Sequence, residues 1–258
     1  MYAEYETPIF NISIFHYDTE YDISTAETVF ETLDKYGMGD AEKIFAGRLT
    51  KNRYIPAKSI TKSIFTKAYA EKNVIDIGMA NGDGRKITEF WKVDWGLTYY
   101  KNSKRDGLKS VFMPWNVLSI DSTYERLREK STYDAYMSCA LELIQKLNPF
   151  YARVDDVDNC VGLMDKAREK HFVPDKIQCI YWGNYFGKQY CDKFKEDYIA
   201  NIPAYSVKKI GDGVFFTLSE SIFDFNSPGT KAMRRKLKKY LSARRLFIFP
   251  GRGRRKGG

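Results

Sequence analysis

Two predicted β-hairpins constrain the fold of this chain more than any other feature of its sequence. Residues 87–100 and 108–118 are rich in aromatic and β-branched side chains, and they flank a polar loop that ends in glycine. Residues 204–219 repeat this pattern around the Gly-Asp-Gly sequence at 211–213. Two such runs around a glycine-containing loop are typical of antiparallel strand pairs. A sheet in this chain is therefore expected to be mostly antiparallel.

Helical segments lie between the predicted strands without regular alternation. Apolar residues recur at helical spacing in 26–36, in the stretch from Asp121 to Leu147, and in the basic segment 230–241. A parallel sheet would require a crossover connection, usually a helix, between consecutive parallel strands. The irregular order instead favours an α+β fold, in which helices pack on a mostly antiparallel sheet, with two similar subdomains in one compact unit as a variant.

The same pattern of helices and strands divides the chain into three predicted segments. We expect an N-terminal α+β half over residues 1–147, which ends before Pro149, and a C-terminal α+β half over residues 148–241. Residues 242–258 (SARRLFIFPGRGRRKGG) have no periodicity and many arginines and glycines. Such a composition is typical of a disordered basic tail.

The net charge of +9 is concentrated at the C-terminal end. Residues 231–258 hold 12 Lys or Arg and no acid, so that residues 1–230 carry a net charge of −3. The first 48 residues alone carry a net charge of −7. No apolar run reaches the roughly 18–20 residues of a membrane-spanning helix, and the acidic N-terminus lacks the basic start of a signal peptide. We expect a cytoplasmic protein that does not contact a membrane.

The sequence lacks the motifs that carry common catalytic chemistry. It has no P-loop, no G-x-S-x-G, no H-E-x-x-H, and no Asp or Glu with Lys two positions later, as metal-dependent nucleases of the restriction type require. The four cysteines are widely spaced, and only two histidines are present. We therefore expect four buried thiols, no metal, no cofactor and no enzymatic activity. The cysteines are Cys139, Cys160, Cys179 and Cys191.

The densest motif is the sequence IYWGNYFG at residues 180–187. We interpret it as a structural corner: a buried strand ends at Trp182, the glycines permit a tight turn, and Asn184 bonds the turn backbone. The aromatic side chains then pack the following helix onto the sheet. The residues assigned to this corner are Trp182, Gly183, Asn184, Tyr185, Phe186 and Gly187.

With these residues the second half resembles the bacterial toxin-immunity proteins of the immunity protein 52 family and the related type VI secretion immunity proteins. The motifs are Pro174 and Ile177 leading into the corner, Ile-Pro-Ala at 202–204, and the glycine turn 211–213 that enters Phe215. The resemblance covers residues 145–241. It implies an inhibitor without catalytic residues, which binds a cognate toxin, often a nuclease, in the cytoplasm of the producing cell.

An acidic surface would suit such a partner, because nucleases present a positively charged cleft. Asp155, Asp156 and Asp158 form a short acidic run, and the first 48 residues add further acids. We predict that these three aspartates contact the toxin. The alternative is that they are ordinary solvated charges.

The basic C-terminal end supports a second hypothesis, in which the chain binds nucleic acid. In that case Arg234, Arg235, Lys238 and Lys239 contact phosphates together with the tail. The same bases are also compatible with an amphipathic helix that is held by Met233, Leu237 and Leu241. A third hypothesis is an enzyme whose carboxylates come together only in the folded chain.

Overall fold

The computed structural model describes residues 8–16, 23–38, 43–48, 52–56, 74–81, 91–97, 116–157, 159, 177 and 179–243. The chain divides into two compact units, Met1–Ala152 and Arg153–Gly258. Strands and helices are mixed in both, so the predicted α+β class is confirmed. Of the predicted tail, only Ser242 and Ala243 are described, and they continue the last helix.

Unit 1 is built on a six-stranded sheet. Its strands are β1 (Ile9–His16), β2 (Lys43–Arg48), β3 (Asn52–Pro56), β4 (Val74–Asn81), β5 (Trp91–Leu97) and β6 (Asn116–Thr123). They lie in the order β3-β2-β4-β5-β6-β1, and each neighbouring pair is antiparallel. The antiparallel pairing of β5 with β6 confirms the first predicted hairpin partnership, and residues 98–115, which include most of the second predicted run, lie outside the described residues.

The helices of unit 1 are α1 (Ile23–Lys35), α2 (Tyr124–Leu127) and α3 (Lys130–Leu147). Helix α3 begins after Glu129, whose carboxylate accepts hydrogen bonds from the N–H groups of Ser131 and Thr132. The Tyr136 hydroxyl reaches the sheet and lies 3.1 Å from the carbonyl oxygen of Phe10 and 3.0 Å from that of Ile120. Because these carbonyls belong to strands β1 and β6, this side chain fixes α3 against that pair of strands.

The helix that the sequence predicts from Asp121 is wrong over its first residues. Asp121, Ser122 and Thr123 belong to β6, where all three lie opposite residues of β1, and Asp121 and Ser122 also lie opposite residues of β5. Pairing on two sides provides backbone partners for the whole strand, which outweighs a local capping signal. Helix α3 then ends as predicted before Pro149, with Asn148 in the left-handed conformation at φ 44°.

Unit 2 begins within β7 (Tyr151–Asp156) and contains β8 (Gly183–Phe186), β9 (Ser206–Ile210) and β10 (Gly213–Thr217). The strand order is β7-β8-β10-β9, and β10 pairs antiparallel with both β8 and β9. The β9–β10 hairpin confirms the second predicted hairpin, with Gly211 at φ 52° in the turn.

Three helices of unit 2 are α4 (Lys188–Phe194), α5 (Glu196–Ala200) and α6 (Pro228–Ala243). Lys195 separates α4 from α5 because its φ of 69° lies outside the helical region. Helix α6 confirms the predicted basic helix, and it buries Thr230, Arg234, Leu237 and Leu241. Among the described residues, no helix has both the length and the apolar character needed to cross a bilayer.

Candidate functional site

The carboxylate of Asp155 is the centre of a buried polar network at the end of β7. Its Oδ2 accepts hydrogen bonds from the backbone N–H of Trp182 at 3.0 Å and from Asn159 Nδ2 at 2.7 Å. Its Oδ1 accepts one from the backbone N–H of Asp156 at 2.9 Å. The Asp155 side chain is 0% exposed. Donors from three segments therefore hold this carboxylate in one orientation.

Arg234 brings helix α6 to the same carboxylate. Its Nη2 lies 3.4 Å from Asp155 Oδ2, and its Nε donates a hydrogen bond to the carbonyl oxygen of Ile180 at 2.8 Å. The guanidinium is planar, so these two contacts fix its plane as well as its position. Arg234 thus connects the last helix to β7 and to the segment that precedes β8.

Burial raises the pKa of the Asp155 carboxyl to about 6, from an ordinary value of 3.8. The Arg234 charge and the hydrogen bonds from the N–H groups of Asp156 and Trp182 act in the opposite direction, but they do not cancel the cost of desolvation. A shifted carboxyl in an open cleft would suggest acid–base catalysis. Since the Asp155 side chain has no exposed surface, the network instead holds unit 2 together.

The residues assigned to the structural corner are all buried, but their local conformation differs from the prediction. Residues 183–186 form strand β8, so the predicted strand end at Trp182 and the tight turn after it are wrong. The chain bends at Trp182, before β8 begins. Across this bend Asn184 accepts a hydrogen bond from the N–H of Tyr181 at 3.0 Å and donates one to the carbonyl oxygen of Tyr181 at 2.9 Å. Trp182 Nε1 donates to Ser219 Oγ at 2.8 Å.

Two of the three aspartates that were predicted to form an acidic surface are buried. Asp155 is 0% exposed and Asp156 is 4% exposed, so neither is a charge on the surface. The physical reason is the donor set around Asp155, which gives this carboxylate partners inside the unit. Asp158 lies outside the described residues. That these aspartates contact a toxin stays a prediction. Because Asp155 and Asp156 are buried, attraction between surface charges does not support it at these two residues.

The four bases that were predicted to contact phosphates also differ in their exposure. Arg234 is buried against Asp155, so it is not available to a phosphate. Arg235 and Lys239 are exposed, and Lys238 is half-buried. Helix α6 therefore presents part of the predicted basic surface and uses one member of it as an internal cation.

The described cysteines are poor nucleophiles. Cys139, Cys179 and Cys191 are buried thiols, whereas Cys160 lies outside the described residues. Burial raises the pKa of Cys139 to about 12 and that of Cys191 to about 11, so that little thiolate is present at neutral pH. Within the described ranges, His, Cys, Asp and Glu side chains do not come together in a group of three that could hold a metal ion.

A cavity of about 210 Å³ lies in unit 1 between the turn that follows α1, the end of β6, α2 and the start of α3. Met38, Leu127 and Tyr136 contribute apolar surface, and Ser122 and Arg126 contribute polar groups. The Ser122 hydroxyl is buried and has no hydrogen-bond partner among the described residues. Ser122 thus contributes a buried polar residue to the lining of this cavity.

Strand β9 forms an edge of the sheet in unit 2 and is the most exposed strand whose side chains are described. Four of its five residues are exposed, and Ile210 is buried. Tyr205, just before the strand, is 55% exposed, and Val207 is 37% exposed. Among the described residues these are the large apolar side chains with the greatest exposure. Neither residue was predicted as a site, although both lie within the predicted hairpin over residues 204–219.

The structure is similar to that of the Pseudomonas aeruginosa type VI secretion system (T6SS) protein PA0821, with a TM-score of 0.59 and 11% sequence identity. The similarity covers 95% of this chain and 77% of that chain. At this identity it shows a shared fold. No protein-family model and no curated protein matches the sequence. The resemblance of residues 145–241 to the immunity protein 52 family therefore stays a prediction.

Proposed function

We propose that this chain is a T6SS-associated immunity protein, which binds a cognate toxin and neutralises it without catalysis. The observation that carries the proposal is the fold shared with a T6SS protein over 95% of the chain. The sequence resemblance of residues 145–241 adds the toxin-binding role. The first line rests on backbone geometry and the second on motifs of the sequence.

The chemistry of unit 2 supports a binding protein more than an enzyme. Its buried carboxylate at Asp155 and its buried thiols at Cys179 and Cys191 lie in the interior, where a substrate does not reach them. Among the described residues its exposed large apolar side chains are Val207 on the edge strand β9 and Tyr205 just before it. Tyrosine is among the residues enriched where proteins bind one another.

A nuclease is the toxin class that the charge distribution favours. The first 48 residues carry a net charge of −7, and Asp34 on helix α1 is exposed. An acidic surface attracts the basic cleft of a nuclease and competes there with nucleic acid. With Asp155 and Asp156 buried, this part of the proposal rests on the N-terminal acids and on Asp158. We place the encounter in the cytoplasm of the producing cell.

The proposal is tested by capturing partners of the tagged chain from its own bacterium. We expect one protein in stoichiometric amount, which stops growth when it is expressed alone and does not when this chain is co-expressed. A captured protein that is harmless alone, or whose toxicity this chain leaves unchanged, would contradict the proposal.

A titration separates a binder from an enzyme. If the chain acts by binding, purified toxin loses its activity in proportion to added chain and reaches zero near equivalence. An enzyme that modifies the toxin would instead abolish its activity at a small fraction of equivalence, given time. The Gly213→Ala variant, whose fold we expect to be disrupted, is the negative control.

Nucleic-acid binding is a second candidate, favoured by the exposed bases of helix α6. Lys231, Arg235 and Lys239 are exposed and lie four residues apart, so that they form one stripe along the helix. If this stripe contacts phosphates, the affinity for a DNA duplex falls steeply with salt, and Arg235→Glu together with Lys239→Glu reduces the salt slope. An unchanged slope would remove these residues from a phosphate site. Arg234 is not included because it is paired with Asp155.

A further inference from the structure

We propose that strand β9 is the partner-binding edge of unit 2, and that the partner adds there an extended segment in which apolar and acidic residues alternate. The inference rests on the proposed function, since it names the surface that holds the partner. It concerns β9, the preceding Tyr205, and the neighbouring helix α5.

The backbone of β9 is available for strand addition. One of its edges pairs with β10 from Ser206 opposite Thr217 to Ile210 opposite Gly213. Across the described residues no strand pairs with its other edge. An unpaired edge presents a row of N–H and C=O groups, and an extended segment of a partner can satisfy them as an additional strand.

The side chains of β9 define what the added segment must contain. Successive residues point to opposite faces, so Val207 and Lys209 share one face and Lys208 lies on the other. The partner residue beside Val207 would be apolar, because Val207 is 37% exposed. The residue beside Lys208 would be acidic, because Lys208 is exposed and has no ion pair among the described residues. An apolar–acidic alternation satisfies both faces.

Lys209 is already neutralised from within unit 2. Its Nζ lies 2.5 Å from Glu196 Oε1 on helix α5. The charge that a partner meets at this edge is therefore that of Lys208. This restricts the requirement for an acid to the face that lies away from Val207.

The same charge disfavours a second copy of this chain as the occupant. In an antiparallel pairing of two β9 strands centred on Lys208, the two Lys208 side chains would lie directly opposite each other. Like charges in opposite positions destabilise a strand pair. An acidic segment of another protein is the occupant that the charge of this edge favours.

The first experiment measures binding of a labelled peptide of alternating valine and glutamate to the full chain at low salt. A peptide with the same residues in two blocks controls for attraction to the basic C-terminal end. We expect the alternating peptide to bind more tightly, and Lys208→Glu to weaken its binding by about fivefold or more. Lys188→Glu is the control for the same charge change elsewhere in unit 2, because Lys188 is an exposed lysine on helix α4, where it pairs with Asp192.

Equal binding of the two peptides, or equal effects of Lys208→Glu and Lys188→Glu, would overturn the inference. Lys208→Gln provides a second variant, which removes the charge without introducing an acid and should weaken binding less than Lys208→Glu. A dimer in sedimentation that Lys208→Glu alters would assign the edge to a second copy, and that would also overturn the inference.

Hydrogen exchange in the complex with the captured toxin separates this inference from the proposed function. We expect those amides of Ser206–Ile210 that point away from β10 to become protected in the complex. If the toxin is neutralised while these amides stay unprotected, the edge is wrong and the function stands. If no toxin is captured but the peptide results hold, the function is wrong and the edge stands.

Discussion

Tyr198 and Tyr240 stack with ring centroids 4.4 Å apart and an interplanar angle of 9°, and each phenol donates a hydrogen bond to the other's main-chain carbonyl oxygen. The distance is 2.5 Å from Tyr198 Oη to the carbonyl of Tyr240 and 2.9 Å in the reciprocal bond. The pair joins helix α5 to helix α6. It thus fixes the end of the last described helix within unit 2.

Removing either phenol is expected to destabilise the chain modestly. Tyr198→Phe and Tyr240→Phe each lose one hydrogen bond while the rings still stack, which costs about 1 kcal/mol of the free energy of unfolding. Each hydroxyl bonds to a carbonyl that the other substitution does not change, so the double variant should lose about the sum. The alanine pair, by contrast, should show a coupling of about 0.5–1.5 kcal/mol from the lost stack. Urea denaturation of the four-member cycles measures both quantities.

Arg234 is expected to be critical because it compensates a buried charge. Arg234→Met leaves the Asp155 carboxylate without its cation and should cost about 3 kcal/mol or more in the free energy of unfolding. Adding Asp155→Asn should recover most of this loss, since the amide oxygen still accepts hydrogen bonds and carries no charge. Arg235→Met is the control, because Arg235 is exposed, and it should change stability by less than about 0.5 kcal/mol. Equal losses for the two methionine variants would show that the buried pair contributes nothing specific.

The raised pKa of Asp155 predicts a stability that falls as the pH rises from about 4 to about 6. The folded-state value is about 6 and the ordinary value is 3.8. Between them the folded chain keeps a proton that the unfolded chain has lost, so the free energy of unfolding decreases with pH, by about 3 kcal/mol in total. Above about pH 6 this contribution is constant.

The Asp155→Asn variant isolates that slope. Urea denaturation of the wild type and the variant across this pH range should give a difference in unfolding free energy that changes below about pH 6 and is constant above it. Glu129 and Glu142 act in the opposite direction, since hydrogen bonds lower the pKa of each to about 2. Their stabilisation is lost as the pH falls below about 4.5, and it is common to both proteins. A constant difference at every pH would contradict the assignment to Asp155.

The parts of the fold that the sequence predicts well are those specified by neighbouring residues. The β9–β10 hairpin follows from the glycines at 211 and 213, and helix α6 follows from its own periodicity. Neighbouring residues do not specify the boundary between β6 and the helices, because Ser122 pairs with Phe10, more than a hundred residues earlier in the chain. A local capping signal contains no information about such a partner. For the same reason β8 was expected a few residues before its actual position.

The buried ion pair illustrates the same limit at the candidate site. Arg234 lies in register with Thr230, Leu237 and Leu241, so the helical pattern alone places a cation within the buried stripe of α6. That signal could have indicated an internal acid as its partner. It could not identify Asp155, which is 79 residues away in the sequence. The sequence instead places the acidic run at the surface, as a toxin contact or as ordinary solvated charges, because three nearby carboxylates are usually exposed.

Gly213 is expected to be indispensable, whereas Gly229 is replaceable. A Cβ atom at Gly213 would lie 2.4 Å from the backbone oxygen of Phe186 and 2.5 Å from the Tyr185 ring, so that β10 could not keep its place beside β8. Gly213→Ala should therefore cost more than about 2 kcal/mol or prevent folding. At Gly229 the nearest atom is Ser227 Oγ at 3.8 Å, and Gly229→Ala should stabilise the first turn of α6 by up to about 1 kcal/mol. Thermal unfolding of the two variants compares the same chemical change in two environments, and a stable Gly213→Ala protein would contradict the close approach of β8 and β10.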